Sequence, residues 1–170
     1  DFARPIAFDL ADADINALCR ESATAAQATP GAEVTLELDP SVGTIVTDAE
    51  RLRLALVNIV VNARHAVDGQ PTQRVTMTTR RESDAVMITV ADTGVGIDRA
   101  NLPRVFDPYF TTKRGGTGLG LPLTRNIVEG LGGTIAVASE PGRGTDIRIS
   151  LPLHAAQPPA DSSKDRSLAR

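Results

Sequence analysis

Asp92-Thr-Gly-Val-Gly-Ile97 and, about twenty residues on, Gly116-Thr-Gly-Leu-Gly-Leu121 contain the residues of this chain best suited to chemistry. The run Val86 to Val90 reads as a buried strand, so Asp92 falls at a strand tip, where a crevice can open. Its carboxylate accepts hydrogen bonds from donors such as an exocyclic amine. Gly94 and Gly96 remove two side chains beside it, so that a flat ligand can approach the backbone. The second cluster (Gly116, Gly118, Gly120) precedes an apolar run at helical spacing, Leu121, Leu123, Ile127, Val128 and Leu131. Unpaired N–H groups and the positive end of the helix dipole make a helix N-terminus a phosphate cradle, and Pro122 suits a first turn. Between the clusters lie Phe106, Tyr109, Phe110, Lys113 and Arg114. That is the layout of a pocket with a movable cover. One such glycine cluster is most often an ordinary turn; two in this order, with Asp first and a basic segment between, are far more specific.

A helix must supply the opposite wall. Asp48 reads as the N-cap of a helix from about Ala49 to Val67, closed by Asp68-Gly69. At about 100° per residue, Leu52, Leu56, Ile59, Ala63 and Val67 share one wedge, and Asn58, Asn62 and His65 share another. Two asparagines on so apolar a helix are costly unless their amides have partners. They either hydrogen-bond neighbouring loop backbone or offer carbonyl oxygens to Mg²⁺, a hard cation that takes its remaining ligands from phosphates and water. His65 is either a solvated surface side chain or a phosphate contact.

Other elements follow in order. An apolar alternation in residues 1–10 suits a short strand or an extended leading segment. Asp12 or Asp14 caps a helix to about Ala28, and short strands follow at Val34 to Leu38 (half-buried) and Ile45 to Thr47. Gln73 to Arg81 and Ala85 to Ala91 form an antiparallel pair. Asp98 caps a short helix to about Val105, and the helix at about 119–131 leads into two strands joined by Glu140-Pro-Gly-Arg-Gly144. Paired strands without regular βαβ alternation argue for an α+β fold: a two-layer α/β sandwich with a mixed, mostly antiparallel sheet of about five strands and three main helices on one face. Residues 1–153 read as one domain and 154–170, rich in Pro, Ala and Ser, as a disordered tail.

With 170 residues and 41% hydrophobic content the chain suits one domain with a substantial core. A net charge of -3 gives no basic field for nucleic acid or an anionic membrane surface, so neither is expected as a partner. The single cysteine, Cys19, has no internal disulfide partner and fits a reducing, cytoplasmic setting. Three of the five aromatic residues (four Phe and one Tyr) fall in the cover segment, which should pack against something.

Together these motifs resemble the ATP-binding catalytic domain of sensor histidine kinases, of the superfamily shared with DNA gyrase, the heat-shock chaperone ATPase and MutL-type repair proteins. Asn58-Ile-Val-Val-Asn62-Ala-Arg-His-Ala is similar to the family's N box and Asp92-Thr-Gly-Val-Gly96 to its G1 box. Phe106-Asp-Pro-Tyr-Phe-Thr-Thr-Lys113 is similar to its F box, and Gly116-Thr-Gly-Leu-Gly-Leu121 to its G2 box. The resemblance covers about Phe8 to Pro152, and the form of the F box is closest to the nitrogen-regulatory and hybrid branches.

It implies the Bergerat sandwich, with ATP and Mg²⁺ as ligands. Asp92 would accept the adenine amino group, flanked by Gly94, Gly96 and Ile97 and supported through water by Thr145. Asn62, assisted by Asn58, would hold Mg²⁺. Backbone from Gly116 and Thr117 through Gly118, Leu119, Gly120 and Leu121 would cradle the phosphates, with Lys113 or Arg114 on the terminal ones and His65 as a further contact. Two departures stand out: His65 occupies a position where many members have a cation or another polar residue, and Ile147 replaces a common phenylalanine.

Related hydrolases and anti-sigma serine kinases carry a glutamate where Asn58 stands, and an amide is no general base at neutral pH. The resemblance therefore implies γ-phosphoryl transfer to a neutral imidazole, with Asn58, Asn62 and Lys113 as the catalytic group. Neither His65 nor His154 has the context of a phosphoacceptor. The expected partners are a histidine phosphotransfer and dimerisation domain of the same kinase, whose helices would precede Asp1, and indirectly a response regulator receiver. The fragment itself is expected to be monomeric. An anti-sigma-type regulatory module and a degenerate scaffold are the alternatives.

Overall fold

Two aspartates begin the helical layer. Asp14 accepts a hydrogen bond from the Ala17 N–H (3.0 Å) and starts α1 (Ile15–Ala26); Asp48 accepts one from Arg51 N–H (3.0 Å) and starts α2 (Ala49–Val67). Each satisfies a backbone donor that the helix leaves unpaired. The other carboxylate oxygen of Asp48 accepts from the Asp9 N–H (2.8 Å), which ties the leading segment to the same corner. These contacts come from a computed structural model that describes residues 7–111 and 120–157.

The strands are β1 (Ala11–Asp14), β2 (Val34–Leu38), β3 (Thr44–Thr47), β4 (Val75–Glu82), β5 (Ala85–Asp92), β6 (Thr134–Glu140) and β7 (Gly144–Pro152), with α3 (Gly120–Gly130) before β6. Five of them form one sheet in the order β2-β4-β5-β7-β6. β2 runs parallel to β4, and every other pairing is antiparallel. Three helices cover one face, giving the expected two-layer α+β sandwich. α2 lies between α1 and α3 and makes most of the helical contact with the central strands.

Period-two alternation puts Val75 and Met77, Val86, Ile88 and Val90, and Ile147, Ile149 and Leu151 on the inner face. The helical wedge Leu52, Leu56, Ile59, Ala63 and Val67 meets them and is buried throughout. Each fully buried Leu or Ile contributes roughly 1.5–3 kcal/mol relative to exposure.

Several expectations are corrected. Among the described residues the first strand is Ala11–Asp14, after an extended segment at 7–10, and it pairs antiparallel with β3 in a separate two-stranded ribbon, so neither joins the main sheet. Of the two caps expected for α1, Asp14 is the one that serves, and Asp12 lies within β1. At the sheet edge, β2 is more exposed than expected, with only Val34 and Leu38 half-buried. The helix expected after Asp98 is a single 3₁₀ turn, Leu102–Arg104. Pro103 has no N–H to continue an α-helical ladder, and the Asp98 carbonyl accepts from Asn101 and Leu102 N–H instead. Residues on both sides of position 153 are tied to β3 and to the leading segment. Val46 N–H donates to Leu153 O, Ala155 N–H donates to Val46 O, and Gln157 Nε2 donates to Phe8 O.

Arg64 is a buried charge with its partners supplied by the end of α1 and the loop after it. Its guanidinium donates to the carbonyls of Ala26, Thr29 and Ala32, clamping the α1–β2 connection onto α2.

Candidate functional site

Across the sheet, Val75, Asp92, Thr145 and Ser139 occupy one row, each directly opposite the next on β4, β5, β7 and β6. By strand alternation Asp92 continues the face of Val86, Ile88 and Val90, Thr145 that of Leu151, Ile149 and Ile147, and Ser139 that of Ile135 and Val137. The apolar inner face therefore turns polar at this row. Asp92 Oδ1 accepts from the N–H groups of Gly94 (2.8 Å) and Thr145 (3.3 Å), which fixes the carboxylate. Ser139 Oγ accepts from Ile97 N–H (2.8 Å), lies 2.8 Å from Thr145 Oγ1 and reaches the Gly144 carbonyl at 3.0 Å.

This row opens into a cavity of about 550 Å³ between sheet and helices. From α2 come Asn58, Asn62 and His65; from β5 and the loop after it, Asp92, Gly96 and Ile97; from the start of α3, Gly120 and Leu121; and from β7, Thr145. Apolar padding comes from Ile59, Ala63, Val90 and Ile147, a mixture suited to a flat ring with a polar edge. The structure thus brings together nine of the residues expected at the site. Lys113, Arg114, Gly116, Thr117, Gly118 and Leu119 lie outside the described residues.

Gly94 packs behind the wall. A Cβ there would come within 2.5 Å of the Ala66 carbonyl oxygen, and one on Gly96 (φ +74°) within 2.1 Å of Glu140 O. The space these glycines leave is filled by protein: they allow the loop to cross the end of α2 and the β6–β7 turn, and Val95 N–H donates to Ala66 O (3.2 Å).

Asn58 is committed on one side, with Nδ2 donating to Thr124 Oγ1 of α3 (3.2 Å). A Cβ on Gly120 would lie 2.5 Å from Asn58 Oδ1, so the missing side chain at the start of α3 makes room for this amide. Asn62 lies one turn further along α2, on the same wall. Among the described residues no group of three His, Cys, Asp or Glu could hold a metal. Two neutral amide oxygens fit Mg²⁺ only as an ion that brings phosphate and water ligands with it. His65 is exposed at the rim of the cavity.

Two contributing residues escaped the sequence reading. Ser139 continues the alternation of Ile135 and Val137, and that period was the available signal. Thr124 is buried within α3 with only its hydroxyl to mark it, and its partner is far away in sequence. The cover segment packs through cation–π contacts: the Arg125 guanidinium sits 5.3 Å from the Phe106 ring centroid and that of Arg104 4.5 Å from Phe110. Tyr109, at φ +66°, points outward and is 74% exposed. No helix among the described residues is long and apolar enough to cross a membrane.

Comparison with known proteins agrees with this geometry. The sequence profile of the histidine kinase-, DNA gyrase B-, and HSP90-like ATPase family matches residues 47–155. The signal transduction histidine-protein kinase AtoS of Escherichia coli K12 is 35% identical over 158 residues, covering 91% of this chain and 26% of AtoS. The sensor histidine kinase ZraS of Salmonella typhi is 45% identical over 114 residues, covering 66% of this chain and 24% of ZraS. The chain spans about a quarter of the length of these curated relatives. Among solved structures, the catalytic domain of the histidine kinase ThkA superposes with a TM-score of 0.77 at 26% identity, covering 86% of this chain and 97% of that one. Full-length ShkA in complex with AMPPNP gives a TM-score of 0.76 at 29% identity, covering 92% of this chain and 34% of that one. On the strength of the matched profile, the row of Asp92, Thr145 and Ser139 and the facing wall of α2, the chain belongs to the histidine kinase-, DNA gyrase B-, and HSP90-like ATPase family.

Proposed function

We propose that this domain binds Mg-ATP in the cavity between α2, α3 and the sheet and donates the γ-phosphoryl group to a histidine on a separate dimerisation and phosphotransfer domain. From there the phosphoryl group would pass to a response regulator receiver in two-component signalling. The observation that carries this reading is the convergence of Asp92, Asn62 and Gly120 on one 550 Å³ cavity. The AMPPNP held by ShkA and the sensor-kinase relatives support it.

In this reading Asp92 accepts the adenine 6-amino group, with its orientation set by the Gly94 and Thr145 N–H groups. Ile97, Gly96 and Ile147 pad the ring, and Thr145 reads the same edge. Asn62, with Asn58 beside it, would hold Mg²⁺ that arrives with the nucleotide, and the ion would supply charge neutralisation at the phosphates. The start of α3 receives the phosphates. Lys113 or Arg114, which lie outside the described residues, would meet the terminal ones.

Neither asparagine can deprotonate a nucleophile. The acceptor is therefore a neutral imidazole, whose lone pair attacks phosphorus without prior proton loss. A P–N bond forms as the bond from phosphorus to the β–γ bridging oxygen breaks, ADP leaves with that electron pair, and the imidazolium then sheds the proton on its other ring nitrogen. Catalysis rests on positioning and charge neutralisation.

Titration of ATP with and without Mg²⁺ against wild type and Asp92→Asn tests the binding half; negligible binding by both proteins would overturn it in favour of a partner-binding scaffold. Radiolabelled ATP with an added histidine phosphotransfer domain tests the transfer half. Label found on serine of a partner would favour the anti-sigma type.

A further inference from the structure

Ser139 Oγ has three polar neighbours, Ile97 N–H, Thr145 Oγ1 and the Gly144 carbonyl, at 2.8, 2.8 and 3.0 Å. A hydroxyl offers one proton and two acceptor sites. Ile97 N–H can only donate and Gly144 O can only accept. All three contacts hold a proton in one arrangement alone: Ser139 donates to Gly144 O and accepts from both Ile97 N–H and the Thr145 hydroxyl. If Ser139 instead donated to Thr145, its contact with Gly144 would contain no proton. The Thr145 hydrogen is thereby directed at Ser139, which does not line the cavity, so toward the cavity that Thr145 lines its Oγ1 can offer only lone pairs.

We infer that Ser139 is a positioning residue that fixes Thr145 as a hydrogen-bond acceptor toward the purine edge, so that the Asp92–Thr145–Ser139 row selects a 6-amino over a 6-oxo purine nucleotide. The inference rests on the proposed nucleotide site and extends it to base selectivity. Asp92 and Thr145 then form a continuous acceptor edge at the end of the sheet. A 6-amino group satisfies it directly or through one water that gives a proton to Thr145. A 6-oxo group meets two sets of lone pairs. Removing the Ser139 hydroxyl frees the Thr145 hydrogen to rotate into the cavity and donate to an oxo group.

The test measures dissociation constants of ATP and inosine 5′-triphosphate for the 170-residue chain, with the thermal transition of every variant recorded alongside. In Ser139→Ala the preference for ATP over inosine triphosphate should narrow by roughly three- to tenfold, the scale of one hydrogen bond. Ser139→Thr, which keeps the hydroxyl, should restore the preference. Thr145→Val should narrow it similarly, and the double variant no further. Should Ser139→Ala fail to fold, Ser139→Cys fills the same space with a thiol that is a poor hydrogen-bonding partner and answers the same question. Equal weakening of both nucleotides, or an unchanged ratio, would overturn the inference while leaving the site intact. If wild type binds neither nucleotide, the site reading falls and the inference with it.

Discussion

Asn58 and Thr124 are joined side chain to side chain across the α2–α3 contact, Nδ2 to Oγ1 at 3.2 Å, with Thr124 fully buried behind the cavity wall. The bond sets which atom of the amide faces which way: the nitrogen is held by α3, and the oxygen lies where a side chain on Gly120 would be. Thr124→Val removes the acceptor but keeps the shape. It should cost about 1 kcal/mol in urea unfolding, whereas Thr124→Ser should lose less. Wild-type stability in Thr124→Val would mean that the bond contributes nothing.

Glycine at 96 serves a chain crossing. At φ +74° and with Glu140 O only 2.1 Å from a built Cβ, Gly96→Ala combines backbone strain with a clash against main chain. It should cost roughly 2–4 kcal/mol, in the tail of single-substitution effects. Gly43 is the control: φ is +64° but nothing lies within 4 Å, so Gly43→Ala should show only the left-handed strain, about 1 kcal/mol. Equal midpoint shifts for the two in denaturant would show that strain alone operates at Gly96.

Arg64 should be intolerant of lysine. Its planar fork reaches three carbonyls, on Ala26, Thr29 and Ala32, and a single ammonium cannot span them. Arg64→Lys should lower stability by about 2 kcal/mol or more, since buried carbonyls lose donors. Proteolysis at the loop of residues 27–33 should rise with it. A variant as stable and as protease-resistant as wild type would show that the loop holds itself.

Much of this architecture was legible in the sequence because it is locally encoded. Asp48 as a cap, the α2 wedge from Leu52 to Val67 and the β4–β5 pair each follow from a period or a turn within one segment. The cavity was legible through residue types, since Asp92, Asn62 and Gly120 have few structural reasons to share an apolar framework. What stayed hidden depends on partners far apart in the chain. No local pattern says that β1 pairs with β3 away from the main sheet, that Leu153 and Ala155 bond Val46, or that Thr124 meets Asn58. A second role of Gly94 and Gly96 stayed hidden for the same reason: the atoms that need their space are on Ala66 and Glu140, about thirty and more than forty residues away in sequence.

Magnesium should bind only together with nucleotide. The facing wall of α2 offers neutral amides, and the described residues contain no cluster of three acidic, histidine or cysteine side chains. Calorimetric titration of Mg²⁺ alone should show no saturable heat, while the same titration with ATP present should show coupled binding. Asn62→Ala should weaken the Mg²⁺-dependent part of ATP affinity and spare the Mg²⁺-independent part. Tight Mg²⁺ binding by the nucleotide-free protein would refute this assignment.

Alkaline stability should carry the signature of Cys19. Its thiol is fully buried in α1, and burial pushes its pKa from 9.0 up to about 12, with nearby Arg20 opposing weakly. Above 9 the unfolded chain gives up a proton that the folded state still holds, so the native state is disfavoured progressively as pH rises from 9 toward 12. The slope from this one group approaches about 1.4 kcal/mol per pH unit. The comparison is with Cys19→Ala, which shares every other titratable group of the chain. Below pH 9 the stability difference between the two proteins should stay constant. Above it, wild type should lose ground steadily relative to the variant. Native wild type should also resist a thiol-modifying reagent until it unfolds, because the thiolate is the reactive form. Parallel stability curves through the alkaline range, or rapid labelling of the native protein, would show that the thiol is reached by solvent and that burial does not hold its proton.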